Sequence, residues 1–197
     1  MLFRSLLPER IALGVNTLQQ AGDQYGVHFS DAAWIDEAGK HLHFHSDRFP
    51  HATIPQGDIY KELIIRYFIC PPTVMFTREV ISTLGGYDET LTYEDFDFWI
   101  RSARRFNYVY SPEVMVKKRL TSKAMANQQF EVLNRHSRTT YWVCRKIMEL
   151  NRSRDEQSAL NQRIYYEIKL NVKLLNIRVV FDFLILWLSN RQLRYET

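Results

Sequence analysis

Cysteine is scarce in this chain. The only two, Cys70 and Cys144, lie far apart and outside any CxxC spacing, which argues against a cysteine metal centre or redox pair and makes two buried free thiols the expectation. Residues 1–7 carry little charge and contain neither a long apolar stretch nor a small-residue cleavage site. No secretory signal is read there, so the cytoplasm is the expected compartment. Long hydrophobic runs are also missing: residues 179–188 form the most apolar segment, about half the length that a bilayer-crossing helix needs. No internal repeat, low-complexity tract, glycine-rich phosphate loop or nucleic-acid-binding motif occurs, and nucleic acid is not an expected partner.

What is present is the composition of a folded protein. Hydrophobic residues make up 46% of the 197 and aromatics 14%, enough for a substantial core in one domain of ordinary size. The net charge of +4 conceals a split, because residues 1–100 hold 7 basic against 14 acidic side chains while residues 101–197 hold 19 against 8. Two such halves either attract one another or leave the basic one for an anionic surface. Arg178 and Arg191 bracket the apolar segment. Residues 178–191 read first as a face packed on the rest of the chain, and second as a peripheral membrane contact, at the inner face of a membrane, or a partner-helix contact.

Local patterns organise the chain. Pro8 in a first helical turn and the apolar Ile11, Leu13, Val15 and Leu18 predict a helix that stops at Gly22. A strand is expected over residues 25–30, with Asp31 near its end as a turn residue. Residues 34–36, a glycine-bearing turn and the alternation His41-Leu42-His43-Phe44-His45 predict a hairpin. Its three histidines would share one face, read as solvated because carboxylate or cysteine partners are missing. A helix capped by Asp58 is expected over 58–67, a strand over 73–77 and a helical turn over 78–84. Residues 93–105 predict a helix with acids first and bases last. Two strand pieces, 107–110 and 113–117, are separated by Ser111-Pro112. After Ser122 glycine and proline vanish, and two long helices are expected, 124–150 and 155–192, joined at 151–154.

The densest candidate for chemistry is residues 85–101: Gly85-Gly86, Tyr87-Asp88-Glu89, then Glu94-Asp95-Phe96-Asp97-Phe98-Trp99 and Arg101. Adjacent glycines allow positive φ or the close approach of a ligand. Acids are favoured at a helix start, where one of them can take a proton from an attacking hydroxyl. Glu94 and Asp95 point about 100° apart on a helix, whereas Glu94 and Asp97 at i, i+3 share a face. Taken alone, such acids read as helix caps and Trp99 as core.

The string G-G-Y-D-E, a short gap, E-D-F-D-F-W and an arginine resembles the second half of family 2 glycosyltransferases of the GT-A fold. The order of features from about Leu6 to Met125 fits too, including Leu7-Pro8-Glu9-Arg10 and Lys117-Lys118-Arg119. The resemblance implies an α/β fold: a partial GT-A-like mixed sheet with flanking helices over residues 1–121, followed by a helical C-terminal extension over 122–197. It implies sugar transfer from a nucleotide-sugar donor to a hydroxyl acceptor with inversion. The processive signature QxxRW is absent, which favours single additions. Asp95 becomes the general base, with Glu94 and Asp97 as neighbours able to shift its pKa or take over its role. Gly85, Gly86, Asp88, Asp97 and Trp99 are placed around the acceptor, and Lys118 and Arg119 near a diphosphate. The histidine that often follows that arginine is replaced by Leu120-Thr121.

The family further implies a divalent metal, Mg or Mn, held by a DxD-type motif upstream of the Leu-Pro-Glu helix opening. Only residues 1–6 precede that opening here, and they contain no such motif. Asp95-Phe96-Asp97 has the spelling but occupies the place of the base motif. The chain is therefore expected to be the acceptor-side half of a glycosyltransferase, incomplete by itself. The alternative is a non-catalytic binding or assembly module, whose exposed sheet edge pairs with another copy or another chain.

Overall fold

A computed structural model of the chain describes residues 4–49, 53–121, 137–193 and 195. It is a mixed α/β protein with two units whose segments interleave along the chain. One comprises Met1–Ile59, Phe68–Gly86 and Arg105–Ala124; the other comprises Tyr60–Tyr67, Tyr87–Arg104 and Met125–Thr197.

The first unit holds the sheet. Strands β1 (Arg4–Leu6), β2 (Tyr25–Ile35), β3 (His41–Phe44) and β5 (Asn107–Arg119) are ordered β1-β5-β2-β3, and the short β4 (Met75–Phe76) also pairs with β2. β2 and β5 are parallel and the other pairings antiparallel. Bonded on both edges, β2 is buried over most of its length, which suits the near-continuous burial of central parallel strands. It runs on past Ser30, where the sequence predicts an end, because Asp31 finds its partners inside the fold. The Asp31 carboxylate accepts hydrogen bonds from the Ala32 N–H at 2.8 Å, the Ser46 N–H at 3.1 Å and the Ser46 hydroxyl at 2.6 Å. It is a buried mid-strand group and not a turn residue.

The two strand pieces expected around Ser111-Pro112 are one strand. Ser30 pairs with Ser111 and Asp31 with Val114, so Pro112 and Glu113 form a bulge, the place where a residue lacking an N–H is tolerated. Helix α1 (Arg10–Ala21) begins after Pro8, behind a left-handed Glu9 with φ 66°. It ends as expected at Gly22. The hairpin of β2 and β3 forms with Trp34 opposite His43, but the histidine face is not uniformly solvated. His41 is exposed, whereas His45 is buried against Trp34 and Phe49 and hydrogen-bonds the Phe68 carbonyl at 2.9 Å. Helix α3 (Arg78–Leu84) matches its expected span.

The second unit is helical: α2 (Tyr60–Ile65), α4 (Glu94–Ala103), α5 (Ser137–Leu150), α6 (Arg154–Lys173) and α7 (Ile177–Gln192). Residues 124–136 of the expected 124–150 helix lie outside the described residues. At the 151–154 joint, Ser153 caps α6 by accepting from the Glu156 N–H at 3.2 Å, while the Glu156 carboxylate accepts from the Arg152 N–H at 2.6 Å. This resembles a capping box, with the amide before the cap taking the place of the cap's own. The single helix expected over 155–192 is two. Leu175 takes φ 59°, and the Asn176 side-chain amide donates to Asn171 Oδ1 at 3.1 Å and to the Ser137 hydroxyl at 3.2 Å. These side-chain bonds stabilise a break that no glycine or proline announces. Cys70 and Cys144 are free and buried, as expected.

Candidate active site

Helix α4 opens with three acids, and its apolar positions fix where each one points. Phe96, Phe98, Trp99, Ile100 and Ala103 are buried, with the Trp99 ring 4.7 Å from that of Tyr67. Trp99 is fully enclosed, which makes it core and removes it as an acceptor contact. Asp97 lies on the same inward side, 1% exposed. Its carboxylate accepts from Lys146 Nζ and from Arg101 Nε, each at 2.7 Å. A buried carboxylate requires such pairing, because the desolvation of an unpaired charge is costly. Asp97 is therefore a structural anchor, not a group open to an acceptor.

Lys146, on α5, reaches in two directions. Its ammonium also donates to Asp88 Oδ2 at 2.7 Å, so one cation ties the turn before α4 to α4 itself. Asp88 in addition accepts from the Thr90 hydroxyl at 2.6 Å and the Thr90 N–H at 3.1 Å. The Lys146 bond, then those from Thr90, hold the Asp88 carboxyl down at about 2. Partial burial works against the Lys146 charge, but its bonds to Asp88 and Asp97 raise its pKa above the ordinary lysine value.

Glu94 and Asp95, by contrast, are half-buried at the start of α4. Their field is felt by Tyr87, whose phenol is pushed up to about 12 by burial and then by Asp95 and Glu94. The Tyr87 ring stacks on Phe98 at 4.5 Å. Tyr87 thus stays protonated beside two carboxylates, a hydrogen-bond donor at the same end of the helix. On α5, Trp142, Arg145, Lys146 and Glu149 line a groove of about 510 Å³ together with Thr90 and Leu91. Trp142 is 40% exposed, and the Arg145 guanidinium lies 5.1 Å from its ring.

The other expected site residues belong to the sheet unit. Gly85 and Gly86 have φ 73° and 87°, with no atom within 4 Å of where a Cβ would stand. Gly85 ends α3 in the left-handed conformation, its N–H donating to the Ile81 carbonyl. The backbone turn alone accounts for both glycines. Arg119 donates to the Asp36 carbonyl at 2.8 Å and the Glu37 carbonyl at 2.7 Å, fastening the tip of the β2–β3 hairpin, and Lys118 lies 4.4 Å above the Trp34 ring. Both engage the hairpin where a diphosphate contact was expected.

The metal implied by the resemblance does not fit the one Asp-x-Asp spelling present. Residues two apart on a helix project about 200° apart, so Asp95 and Asp97 cannot chelate one ion, and Asp97 is already held by two cations. Among the described residues no group of three or more His, Cys, Asp or Glu side chains is arranged to hold an ion.

Residues 14–172 match the family described as Glycosyltransferase like family 2. The chain belongs to this family. Its open mixed sheet with flanking helices is consistent with a GT-A-like fold, and its function is of the glycosyltransferase type. No curated protein matches the chain. In this family 2 glycosyltransferase domain the E-D-F-D motif spans acids of unlike burial, Glu94 and Asp95 half-buried and Asp97 enclosed. Lys146 and Trp142, some fifty residues downstream of those acids, carry no local signal that sequence reasoning can use.

Proposed function

We propose that the start of α4 deprotonates a hydroxyl acceptor during sugar transfer from a nucleotide-sugar, with Asp95 as general base and Glu94 beside it. The acceptor oxygen forms a bond to the anomeric carbon as the bond from that carbon to the diphosphate breaks. The proton passes to the Asp95 carboxylate, and the nucleoside diphosphate leaves with the electron pair. A single displacement of this kind inverts the anomeric centre, and one sugar is added per encounter.

The observation that carries this reading is the difference in burial among the three acids. Asp97 is enclosed, 1% exposed, while Asp95 and Glu94 are half-buried at the start of α4 and act on Tyr87. A base needs a carboxylate that can reach the acceptor proton. The groove of Thr90, Lys146, Trp142 and Glu149 supports a sugar-like acceptor, because it combines an aromatic surface with polar side chains of both kinds. No step is assigned to a metal, since the described residues do not fit one.

The test is release of UDP or GDP from a panel of UDP- and GDP-sugars in the presence of methyl glycosides as acceptors. Asp95→Asn should lower turnover by about 10²–10⁴-fold with little change in donor binding, and Glu94→Gln by less. Near-normal turnover by Asp95→Asn removes Asp95 from the role. Absence of turnover and of donor binding by the unaltered chain would favour the binding-module alternative.

A further inference from the structure

Among the described residues, α7 carries an apolar surface that the transfer site does not use. Along α7, Ile177, Phe181, Leu184, Ile185 and Leu188 are between 38% and 62% exposed. At about 100° per residue these five fall within an arc of about 100°, one continuous stripe. Phe183, Leu186 and Asn190, which are buried, lie on the opposite side of the helix. α7 is thus apolar on both faces. One is packed in the helical unit and the other is open, and an open stripe of this kind on a folded protein marks an interaction surface.

Charge decides among occupants. Arg178 and Arg191, both exposed, lie about 20° outside the two edges of the stripe, near opposite ends of the helix. The one acid of α7, Asp182, projects about 115° from the stripe's centre. Lys173, exposed at the end of α6, adds another cation just ahead of α7. An antiparallel pairing of two copies through this stripe would ring the contact with four arginines and place no α7 acid among them. An anionic lipid surface satisfies both features at once, the stripe entering the acyl boundary and the arginines meeting headgroup phosphates. No helix among the described residues is long and apolar enough to cross a membrane, so α7 would lie in the interface plane.

We propose that α7 docks this protein on an anionic membrane surface through the Ile177–Leu188 stripe. The arrangement does not depend on which acid acts as base. The test is flotation of the full chain with vesicles of phosphatidylcholine alone and of phosphatidylcholine mixed with phosphatidylglycerol. The chain should float with the anionic vesicles, less with the neutral ones, and less as sodium chloride is raised. Phe181→Glu and Ile185→Glu, at positions already exposed, should reduce the vesicle-bound fraction by at least about tenfold. Circular dichroism should show their helix content unchanged; should either glutamate variant lose helix, Ile185→Ser takes its place with the same expectation. Arg178→Gln with Arg191→Gln should weaken binding to anionic vesicles only. No flotation with anionic vesicles, or full flotation of Ile185→Glu, overturns the proposal. So does a concentration-dependent dimer that Ile185→Glu dissociates without any vesicle binding, which would assign the stripe to a second copy.

Discussion

The two units satisfy their buried carboxylates in opposite ways. In the sheet unit, Asp31 is met by the hydroxyl and amide of Ser46 and the amide of Ala32. His28 shares a 2.8 Å hydrogen bond with the Ser111 hydroxyl, and His45 meets a carbonyl. The partners are uncharged. In the helical unit the buried carboxylates meet opposite charge: Asp97 with Lys146 and Arg101, and Glu167 with Arg163 at 2.8 Å. Strands supply backbone donors and hydroxyls at fixed spacing, whereas helices have consumed their backbone bonds internally and must reach across with long side chains. The teaching is that an acid enclosed among helices is held by the cations its neighbours bring, as Asp97 is by Lys146 and Arg101, and is thereby withdrawn from chemistry.

The strongest way to break this contrast is to remove the shared cation. Lys146→Ala leaves buried Asp97 with Arg101 alone and Asp88 with Thr90, and should cost about 3 kcal/mol, the low end for breaking a buried pair because Lys146 is partly exposed. Lys146→Met retains most of the packing of the stem and should cost nearly as much, since the lost charge dominates. Denaturant titration gives the free energies, and hydrogen exchange should place the loss in α4 and α5. An unchanged midpoint for both variants would show that the Lys146 bridge contributes nothing.

Acid should separate the units by window. Burial first, then the nearby Arg10, holds His28 down at about 4 against an ordinary 6.5, and burial holds His45 at about 4 although its bond to Phe68 opposes the shift. The unfolded chain therefore binds protons that the folded sheet unit refuses, and stability falls as pH drops from about 6.5 to 4, by ~1–3 kcal/mol for each histidine. In the helical unit Asp88 is lowered from 3.8 to about 2. The stability from its bonds is present above 3.8 and is lost only as pH falls towards 2. Exchange protection in β2 and β5 should decline before that in α5. The reverse order would show that the histidines are not the titrating groups.

The same contrast explains what was legible in the sequence. Helix α3, the β2–β3 hairpin and the acidic start of α4 follow from patterns within a dozen residues, and the family resemblance followed from motifs of that length. What failed depended on distant partners. β2 passes Asp31 because Ser46 meets the carboxylate, and β5 passes Pro112 because a bulge absorbs it. The break at Leu175 is held by Asn171, Asn176 and Ser137, all polar residues that look like ordinary helix surface. Within the site, the acids were visible, but the fate of Asp97 was written in Lys146, 49 positions away.

Helix ends offer the finest version of the comparison. α6 is capped by a side chain, Ser153, reinforced by Glu156, and α3 in the sheet unit is ended by backbone geometry at Gly85. Ser153→Ala should cost about 1 kcal/mol, and Ser153→Asp should restore it, because either side-chain oxygen accepts the Glu156 N–H. Gly85→Ala should also cost about 1 kcal/mol, from forcing a Cβ into φ 73°. Gly85→Asn should cost less, because asparagine tolerates the left-handed region. Thermal melts of the four variants suffice. If Gly85→Ala is neutral for folding yet lowers sugar transfer, the glycine serves a ligand's approach and not the turn, and the backbone account of Gly85 must be abandoned.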